Sequence, residues 1–260
     1  MLTRRAAARY AVLTAVCLIA ALALIFRHKM MNDGGVERWF QEELSVEAQT
    51  ETAGWNESEK DSRLYRMSKW GALSPQQFRS FVSHQIEGLH LSQDSPFFFL
   101  EVGMGVGAFT RVILQTFPQS HGVGFDMLPG AVNVASRVLP NARMVVLEGN
   151  MLSLTRLFPH SYFDNVFIPG SICYLASMRE VETVVRASAA ILKPGGGMCL
   201  SMIASDTSDT GTCRTRIPKS FFLVTLRPGL RVVQMDEMDS WNTSHQFGRY
   251  SVCLRKSSRI

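Results

Sequence analysis

The chain contains 260 residues, of which 46% are hydrophobic and 19% are charged, with a formal net charge of +5. This length and apolar content are sufficient for one sizeable domain with an appended segment, and they exclude a wholly disordered protein. The charge is unevenly distributed: residues 1–29 carry five basic and no acidic residues, residues 30–61 carry a net charge of −7, and residues 62–260 carry +7. The basic residues of the last region are scattered singly, so we predict no nucleic-acid partner.

Residues 10–26, YAVLTAVCLIAALALIF, form an apolar segment without a charged residue, bounded by Arg9 and Arg27. A membrane-spanning helix needs about 20 mostly apolar residues, with a range of about 17–25. We therefore predict that residues 1–29 are a single-pass anchor in an internal membrane, with an orientation left open because both flanks are basic. The alternatives are a cleavable signal peptide, for which Ile25-Phe26-Arg27 is a poor cleavage site, and a mitochondrial presequence, which would be amphipathic.

The acidic region that follows, residues 30–73, has no hydrophobic period and predicts a stalk or linker. We expect the folded domain to span residues 74–260. Its first helix is predicted from Ser74, a preferred N-cap residue, and from Pro75, which suits the first helical position. Apolar side chains then recur at helical spacing, at Phe78, Phe81, Val82 and Ile86.

Strand and helix patterns alternate along the rest of the domain. The strand patterns cover residues 97–102, 122–126, 143–149, 163–169, 196–203, 230–238 and 248–256. The helix patterns cover residues 107–117, 129–139, 152–158, 178–192 and 217–226. Such alternation predicts a doubly wound α/β sheet that is mostly parallel and covered by helices on both faces. The last two strands have no helix between them, so we expect them to pair as a hairpin with one strand antiparallel to the sheet.

The five cysteines do not form a recognisable framework. None belongs to a CxxC pair or stands at metal-ligand spacing from a histidine, so we predict neither a metal site nor a set of disulfides. Cys173 and Cys199 lie in apolar stretches and are expected to behave as small hydrophobic core residues. Asn56-Glu57-Ser58 and Asn242-Thr243-Ser244 are glycosylation sequons, which matter only if the domain lies in a lumen.

A glycine turn, Gly103-Met-Gly105-Val-Gly107, follows the first predicted strand. Glycine lets a chain turn sharply and lets a ligand contact the backbone. Asp126 ends the next predicted strand, and a carboxylate at that position can accept hydrogen bonds from both hydroxyls of a ribose. Nicotinamide cofactors and S-adenosylmethionine both carry such a ribose, so these residues alone favour neither of them.

Glu101 separates the two cofactor classes. It stands two residues before Gly103, where its carboxylate would repel a pyrophosphate in a partly desolvated pocket and would attract an ammonium or sulfonium group. A second feature is LKPGG at residues 192–196, a helix end and turn that do not belong to the dinucleotide-binding fingerprint.

The glycine turn 101–107, Asp126, FDNVF at 163–167 and LKPGG at 192–196 have an order and spacing that resemble the class I S-adenosylmethionine-dependent methyltransferases. The resemblance covers about residues 74–255 and is closest to the small single-domain members of the family. It implies a Rossmann-like sheet of seven strands with the last strand antiparallel, and S-adenosyl-L-methionine as cofactor. The residues that it implies for cofactor binding are Glu101, Gly103, Met104, Gly105, Gly107, Asp126, Met127, Gly149, Asn150, Met151 and Pro169.

Two positions depart from the family pattern. The family commonly has an acid where this chain has Asn150, whose side-chain carbonyl can still accept a hydrogen bond from the adenine amino group. Members that methylate bases or amides often carry Asn- or Asp-Pro-Pro-aromatic after the fourth strand, whereas this chain has Ile168-Pro169-Gly170-Ser171. Amino groups of DNA and of glutamine are therefore disfavoured as acceptors.

The loop 169–174 follows the fourth predicted strand and should face the transferred methyl group. Ser171, Cys173 and Tyr174 are candidates to line the acceptor pocket, and the sequence identifies no catalytic base. The polar segment 204–215 is a candidate lid. We expect a membrane-anchored methyltransferase acting on a small-molecule, lipid or protein acceptor. The alternatives are an NAD(P)-dependent oxidoreductase and a non-catalytic methyltransferase-like scaffold.

Overall fold

The computed structural model describes residues 75–203, 215, 217–225, 229–238 and 249–258. The predicted membrane anchor, the predicted stalk and all of the candidate lid except Thr215 lie outside these residues. Among the described helices, none has the length and apolar character needed to cross a bilayer.

A single sheet of seven strands organises the described part of the chain. The strands are β1 (Phe98–Val102), β2 (His121–Asp126), β3 (Met144–Glu148), β4 (Phe163–Pro169), β5 (Leu192–Ile203), β6 (Leu230–Met238) and β7 (Arg249–Lys256). Their order in the sheet is β3-β2-β1-β4-β5-β7-β6. All pairs from β3 to β5 are parallel, and β7 is antiparallel to both of its neighbours. The predicted hairpin and the predicted antiparallel last strand are therefore confirmed.

The helices cover both faces of the sheet, as the alternating pattern predicted. They are α1 (Pro75–Ile86), α2 (Ala108–Thr116), α3 (Pro129–Val138), α4 (Leu154–Leu157) and α5 (Met178–Ile191). Short 3-10 turns occupy Glu87–Leu89, Met151–Ser153 and Ile172–Tyr174. Helix α3 starts with a proline at its first position, and α5 starts at the N-cap Ser177, whose hydroxyl accepts a hydrogen bond from the Glu180 amide.

Two hydrophobic cores lie between the sheet and its helices, one on each face of the sheet. One core lies under α1, α2 and α3 and includes Phe78, Phe81, Phe99, Phe109 and Phe167. The other lies under α4 and α5 and includes Leu100, Phe125, Phe163, Val166 and Leu200. Because burial of a Phe or Leu side chain contributes about 1.5–3 kcal/mol, these two layers fix the sheet against its helices. The crevice expected for a ligand lies at the carboxyl ends of β1, β2 and β4, where the strand order reverses.

Most predicted elements agree with the structure within two residues at each end, and two differ in a further respect. Strand β5 begins at Leu192, which pairs with Phe163, before the predicted start at residue 196. The pairing then shifts so that Asn165 faces Gly197, and the predicted turn is absorbed into the strand as an irregularity with Gly195 at a φ of 77°. Within the predicted helix at 217–226, the described residues are helical over 219–225, and Phe221–Thr225 form a π-helical segment. A ten-residue apolar segment does not fix the period well enough to predict a helix length.

A disulfide joins Cys199 of β5 to Cys253 of β7, and the prediction that the cysteines form no disulfides is wrong. The two residues face each other directly in the antiparallel register, with their Cα atoms 4.2 Å apart. Both are buried in the core under α1. Cys173 is also disulfide-bonded, so it is not a simple hydrophobic core residue either.

Candidate functional site

The glycine turn is tied to the end of the neighbouring strand. The amides of Gly103 and Met104 donate hydrogen bonds to the carbonyl oxygen of Phe125, at 2.9 and 3.1 Å. The next amide, that of Gly105, donates to Oδ2 of Asp126 at 2.8 Å. The turn and the carboxylate predicted to bind the ribose therefore form one hydrogen-bonded unit at the carboxyl ends of β1 and β2.

The three glycines of the turn serve different purposes, although all have positive φ angles of 68°, 56° and 85°. A Cβ on Gly103 would lie 2.4 Å from Cβ of Ser171, and a Cβ on Gly107 would lie 2.8 Å from the Leu139 side chain. A Cβ on Gly105 would meet no atom within 4 Å. Close packing therefore requires glycine at two of these positions, and Gly105 is the one that presents bare backbone to open space.

Asp126 is buried at the end of β2, and its two carboxylate oxygens accept backbone hydrogen bonds. Oδ2 accepts from Gly105, and Oδ1 accepts from the Leu128 amide at 3.0 Å. A carboxylate oxygen can accept more than one hydrogen bond, so both oxygens retain capacity for the hydroxyls of a ribose. The two amides fix the orientation of the carboxylate before any ligand binds.

Glu101 lies on the same face of the sheet as Asp126. Glu101 pairs with Gly124 in the parallel register, and Asp126 follows Gly124 by two residues on the same strand. The Glu101 side chain is only 1% exposed, and its Oε2 accepts a hydrogen bond from the hydroxyl of Thr110. The two acids thus lie on one side of the sheet, near a turn with open space at Gly105.

The residues predicted to contact the adenine lie on the loops after β2 and β3. The amide of Gly149 donates a hydrogen bond to the carbonyl oxygen of Asp126 at 2.9 Å, which brings the two loops together. Met127 is half exposed, and Met151 reaches towards the glycine turn, its Cε 3.6 Å from the position of a Cβ on Gly103. Oδ1 of Asn150 accepts a hydrogen bond from the Leu152 amide at 2.9 Å and caps the following 3-10 turn.

The loop after β4 packs against the glycine turn. Pro169 ends β4 and is buried, and the Ser171 hydroxyl donates to the carbonyl oxygen of Val102 at 2.8 Å. Ser171 therefore holds the turn in addition to any contact with an acceptor. Cys173 is buried, whereas Tyr174 is partly exposed, and the roles of these residues towards an acceptor stay predictions.

Two residues of the site, Thr110 and Leu128, were not singled out by the sequence interpretation, and Thr215 was included only as the last residue of the candidate lid. Thr110 contacts Glu101, and the Leu128 amide holds Asp126. Thr215 contacts the loop after β4. Its amide donates a hydrogen bond to the carbonyl oxygen of Cys173 at 3.0 Å, and its hydroxyl donates one to the carbonyl oxygen of Leu175. The position of Thr110 in the first turn after the glycines was a possible signal, since a polar residue there faces β1.

Comparisons with known proteins identify one domain model that matches part of the chain. Residues 99–196 match the sequence model of a methyltransferase domain family. None of the curated proteins that were compared matches the chain significantly.

Solved structures share the fold at low sequence identity. A [4+2]-cyclase, SpnF, has a TM-score of 0.58 and 17% identity over 70% of this chain and 82% of its own. A chain of the complex between the Trm112 methyltransferase activator and a methyltransferase from Haloferax volcanii has a TM-score of 0.57 and 17% identity over 70% and 93%. An S-adenosylmethionine-dependent methyltransferase from Mesorhizobium loti has a TM-score of 0.52 and 15% identity over 65% and 96%. Residues 99–196 thus match a methyltransferase domain, and the described part of the chain shares the fold of these proteins, which supports the family and the cofactor that the sequence resemblance implies.

Proposed function

We propose that this protein transfers a methyl group from S-adenosylmethionine to a small-molecule, lipid or protein acceptor, at a domain anchored to an internal membrane through residues 10–26. The observation that carries the catalytic part is the unit formed by Gly105 and Asp126. The backbone of Gly105 faces open space, and its amide is hydrogen-bonded to the carboxylate of Asp126.

The residues of the site fit the parts of this cofactor. Asp126 would bind the ribose hydroxyls, the turn at Gly105 would follow the methionine part, and Glu101 would attract its ammonium group. Asn150 would accept a hydrogen bond from the adenine amino group, through the carbonyl oxygen that also caps the Leu152 amide. The cofactor supplies a methyl group already activated on a sulfonium, so the protein mainly has to place the acceptor in line with it.

A diphosphate fits the same residues poorly. The two acids lie on one side of the sheet, and Glu101 is almost fully buried. Like charges in a desolvated site repel strongly, so a pyrophosphate beside Glu101 would be disfavoured. This supports S-adenosylmethionine over the predicted alternative of a nicotinamide cofactor.

A binding assay separates the three predicted functions. The full-length chain in mild detergent is titrated with S-adenosylmethionine, S-adenosylhomocysteine and NADH. We expect the first two to bind and NADH not to bind. Binding of NADH alone would favour the oxidoreductase, and binding of none of the three would favour a scaffold.

The acceptor is best sought without a prior choice. Cells expressing the full-length chain are given isotopically labelled methionine, and labelled metabolites, lipids and proteins are compared with cells expressing the Asp126→Ala variant. Products that carry the label only with the unaltered protein identify the acceptor class. Equal labelling in the two strains would contradict the proposal.

The buried disulfide supports a location of the domain outside the cytosol. Disulfides persist in oxidising compartments and are rare in the cytosol. Cys199 and Cys253 form such a bond, and Cys173 forms another. The domain would then lie on the lumenal or exterior side of the membrane, which also makes the Asn242 sequon a possible glycosylation site.

Thiol trapping in cells tests this location. Free thiols are blocked in intact cells, and the protein is then reduced and labelled with a large maleimide reagent. A gel shift that requires the reduction step is expected for a lumenal domain. The lumenal location would be contradicted if all cysteine thiols are blocked before reduction, so that no gel shift appears, and if glycosidase does not change the mobility of the full chain.

A further inference from the structure

Thr110 is a buried polar residue whose contact has no assigned role in cofactor binding. It lies in the first turn of α2, is 0% exposed, and donates its hydroxyl hydrogen to Oε2 of Glu101. We propose that Thr110 is a positioning residue that orients the Glu101 carboxylate towards the amino group of the cofactor's methionine part. This inference rests on the proposed function, because it assumes that S-adenosylmethionine occupies the glycine turn.

The strand neighbours of Glu101 offer its carboxylate no polar side chain. On one side Glu101 pairs with Phe167 of β4, and on the other it pairs with Gly124 of β2. The Met104 side chain covers Gly124, since its sulfur would lie 2.4 Å from a Cβ added there. A buried carboxylate is costly unless it is hydrogen-bonded, and the Thr110 hydroxyl enters this apolar surrounding from the helix above.

Threonine at position 110 lowers the intrinsic stability of helix α2. Threonine is a weaker helix former than alanine, because its branched side chain loses rotamer freedom against the preceding turn. In a helix its hydroxyl often bonds to a backbone carbonyl three or four residues earlier, whereas here it is directed at Glu101. The hydroxyl therefore has a specific function, and the methyl group alone could be supplied by valine.

The position of the contact connects the cofactor turn to the sheet. Gly107 is the N-cap of α2, Thr110 lies three residues later, and Glu101 lies two residues before Gly103. The hydrogen bond thus spans the turn from its strand to its helix. Without it the carboxylate would lose the hydrogen bond that holds it from α2, while the backbone contacts of the turn with β2 would remain.

The test compares Thr110→Val, which keeps the shape and removes the hydroxyl, with Thr110→Ser, which restores it. Affinities of the full-length chain are measured by calorimetry for S-adenosylmethionine and for 5′-methylthioadenosine, which has the nucleoside and thioether but no amino-acid part. We expect Thr110→Val to bind S-adenosylmethionine about tenfold more weakly or worse, as for loss of a hydrogen bond to a charged group. Its affinity for 5′-methylthioadenosine should be unchanged, and Thr110→Ser should restore the affinity for S-adenosylmethionine.

A double-mutant cycle checks that the effect passes through Glu101. In a Glu101→Gln background, Thr110→Val should cause no more than about a threefold further loss of S-adenosylmethionine affinity, because the charged group is already gone. If the valine variant does not fold by thermal melting, Thr110→Ala replaces it in the same measurements.

Three outcomes would overturn the inference. Equal losses for both ligands would show a purely structural role, and unchanged affinities would show none. Failure of the serine variant to restore binding would show that the hydroxyl is not the cause. If the unaltered protein binds neither ligand, the proposed function fails and the inference fails with it. If the unaltered protein binds both ligands and one of the three outcomes above is found, the inference alone fails.

Discussion

Replacement of Asp126 by asparagine changes one atom of the candidate ribose site and keeps its size. In the structure, Oδ2 accepts from Gly105 at 2.8 Å and Oδ1 accepts from Leu128 at 3.0 Å. An asparagine has a single oxygen, so its amide nitrogen must face one of these two N–H donors. One backbone hydrogen bond is lost, and two donors then oppose each other.

The expected losses follow from these contacts. An unsatisfied buried donor costs about 1–3 kcal/mol, and the free energy of unfolding should fall by that amount. Loss of a hydrogen bond between a ribose hydroxyl and a charged oxygen removes about 1.5–3 kcal/mol of binding free energy. This corresponds to S-adenosylhomocysteine affinity weakened between about tenfold and about 150-fold.

The measurement is calorimetry with S-adenosylhomocysteine, which cannot react, together with thermal melting of the full-length chain. A matched control is Asp164→Asn, at the opposite end of the sheet. Oδ2 of Asp164 accepts from the Phe98 amide at 2.8 Å, and Oδ1 accepts from Lys193 at 2.7 Å. The control should lose stability and keep its affinity. Unchanged affinity in Asp126→Asn, or equal losses in both variants, would refute the ribose assignment.

Four further substitutions test the glycine turn, its support and the disulfide. Gly105→Ala should fold with a loss of about 1–2 kcal/mol in the free energy of unfolding because of its positive φ, and it should bind S-adenosylhomocysteine poorly. Gly103→Ala should lose more stability, because its Cβ would overlap Ser171. A lower melting temperature for Gly105→Ala than for Gly103→Ala would contradict this. Ser171→Ala should lower the free energy of unfolding by about 1 kcal/mol through its lost bond to Val102, and an unaltered denaturation midpoint would exclude that role. Cys199→Ser should cost about 4 kcal/mol, because the disulfide closes a loop of 54 residues. Reductant should lower the melting temperature of the unaltered protein by more than that of the variant, which keeps only the disulfide of Cys173.

The sequence predicted the features that depend on local chain geometry. The strand before the glycine turn, the turn and Asp126 lie within 30 residues of one another, and consecutive parallel strands place their carboxyl ends together. The sheet face shared by Glu101 and Asp126 then follows from the alternation of side chains along each strand. The seven-strand arrangement itself came from the family resemblance, because several strand orders satisfy the same pattern.

The features that were missed depend on contacts between distant segments. Cys199 and Cys253 are 54 residues apart, and their pairing requires that β7 lie beside β5 in one particular register. An odd count of cysteines without a motif gives no indication of this. Thr110 is similar, because a threonine early in a helix has many possible partners, and only the packing of α2 on β1 selects Glu101.

The choice between a dinucleotide and a sulfonium nucleoside depends on charge at one helix end. The N-terminus of α2 carries a partial positive charge, and in dinucleotide-binding folds such an end receives a pyrophosphate. Here the Glu101 carboxylate is held by Thr110 in the first turn of α2, so a negative charge already lies at that end. A phosphate would meet this charge and that of Asp126, whereas an ammonium group would be attracted by both. If the proposed function holds, the hydrogen bond from Thr110 contributes to cofactor selection as well as to the packing of the turn.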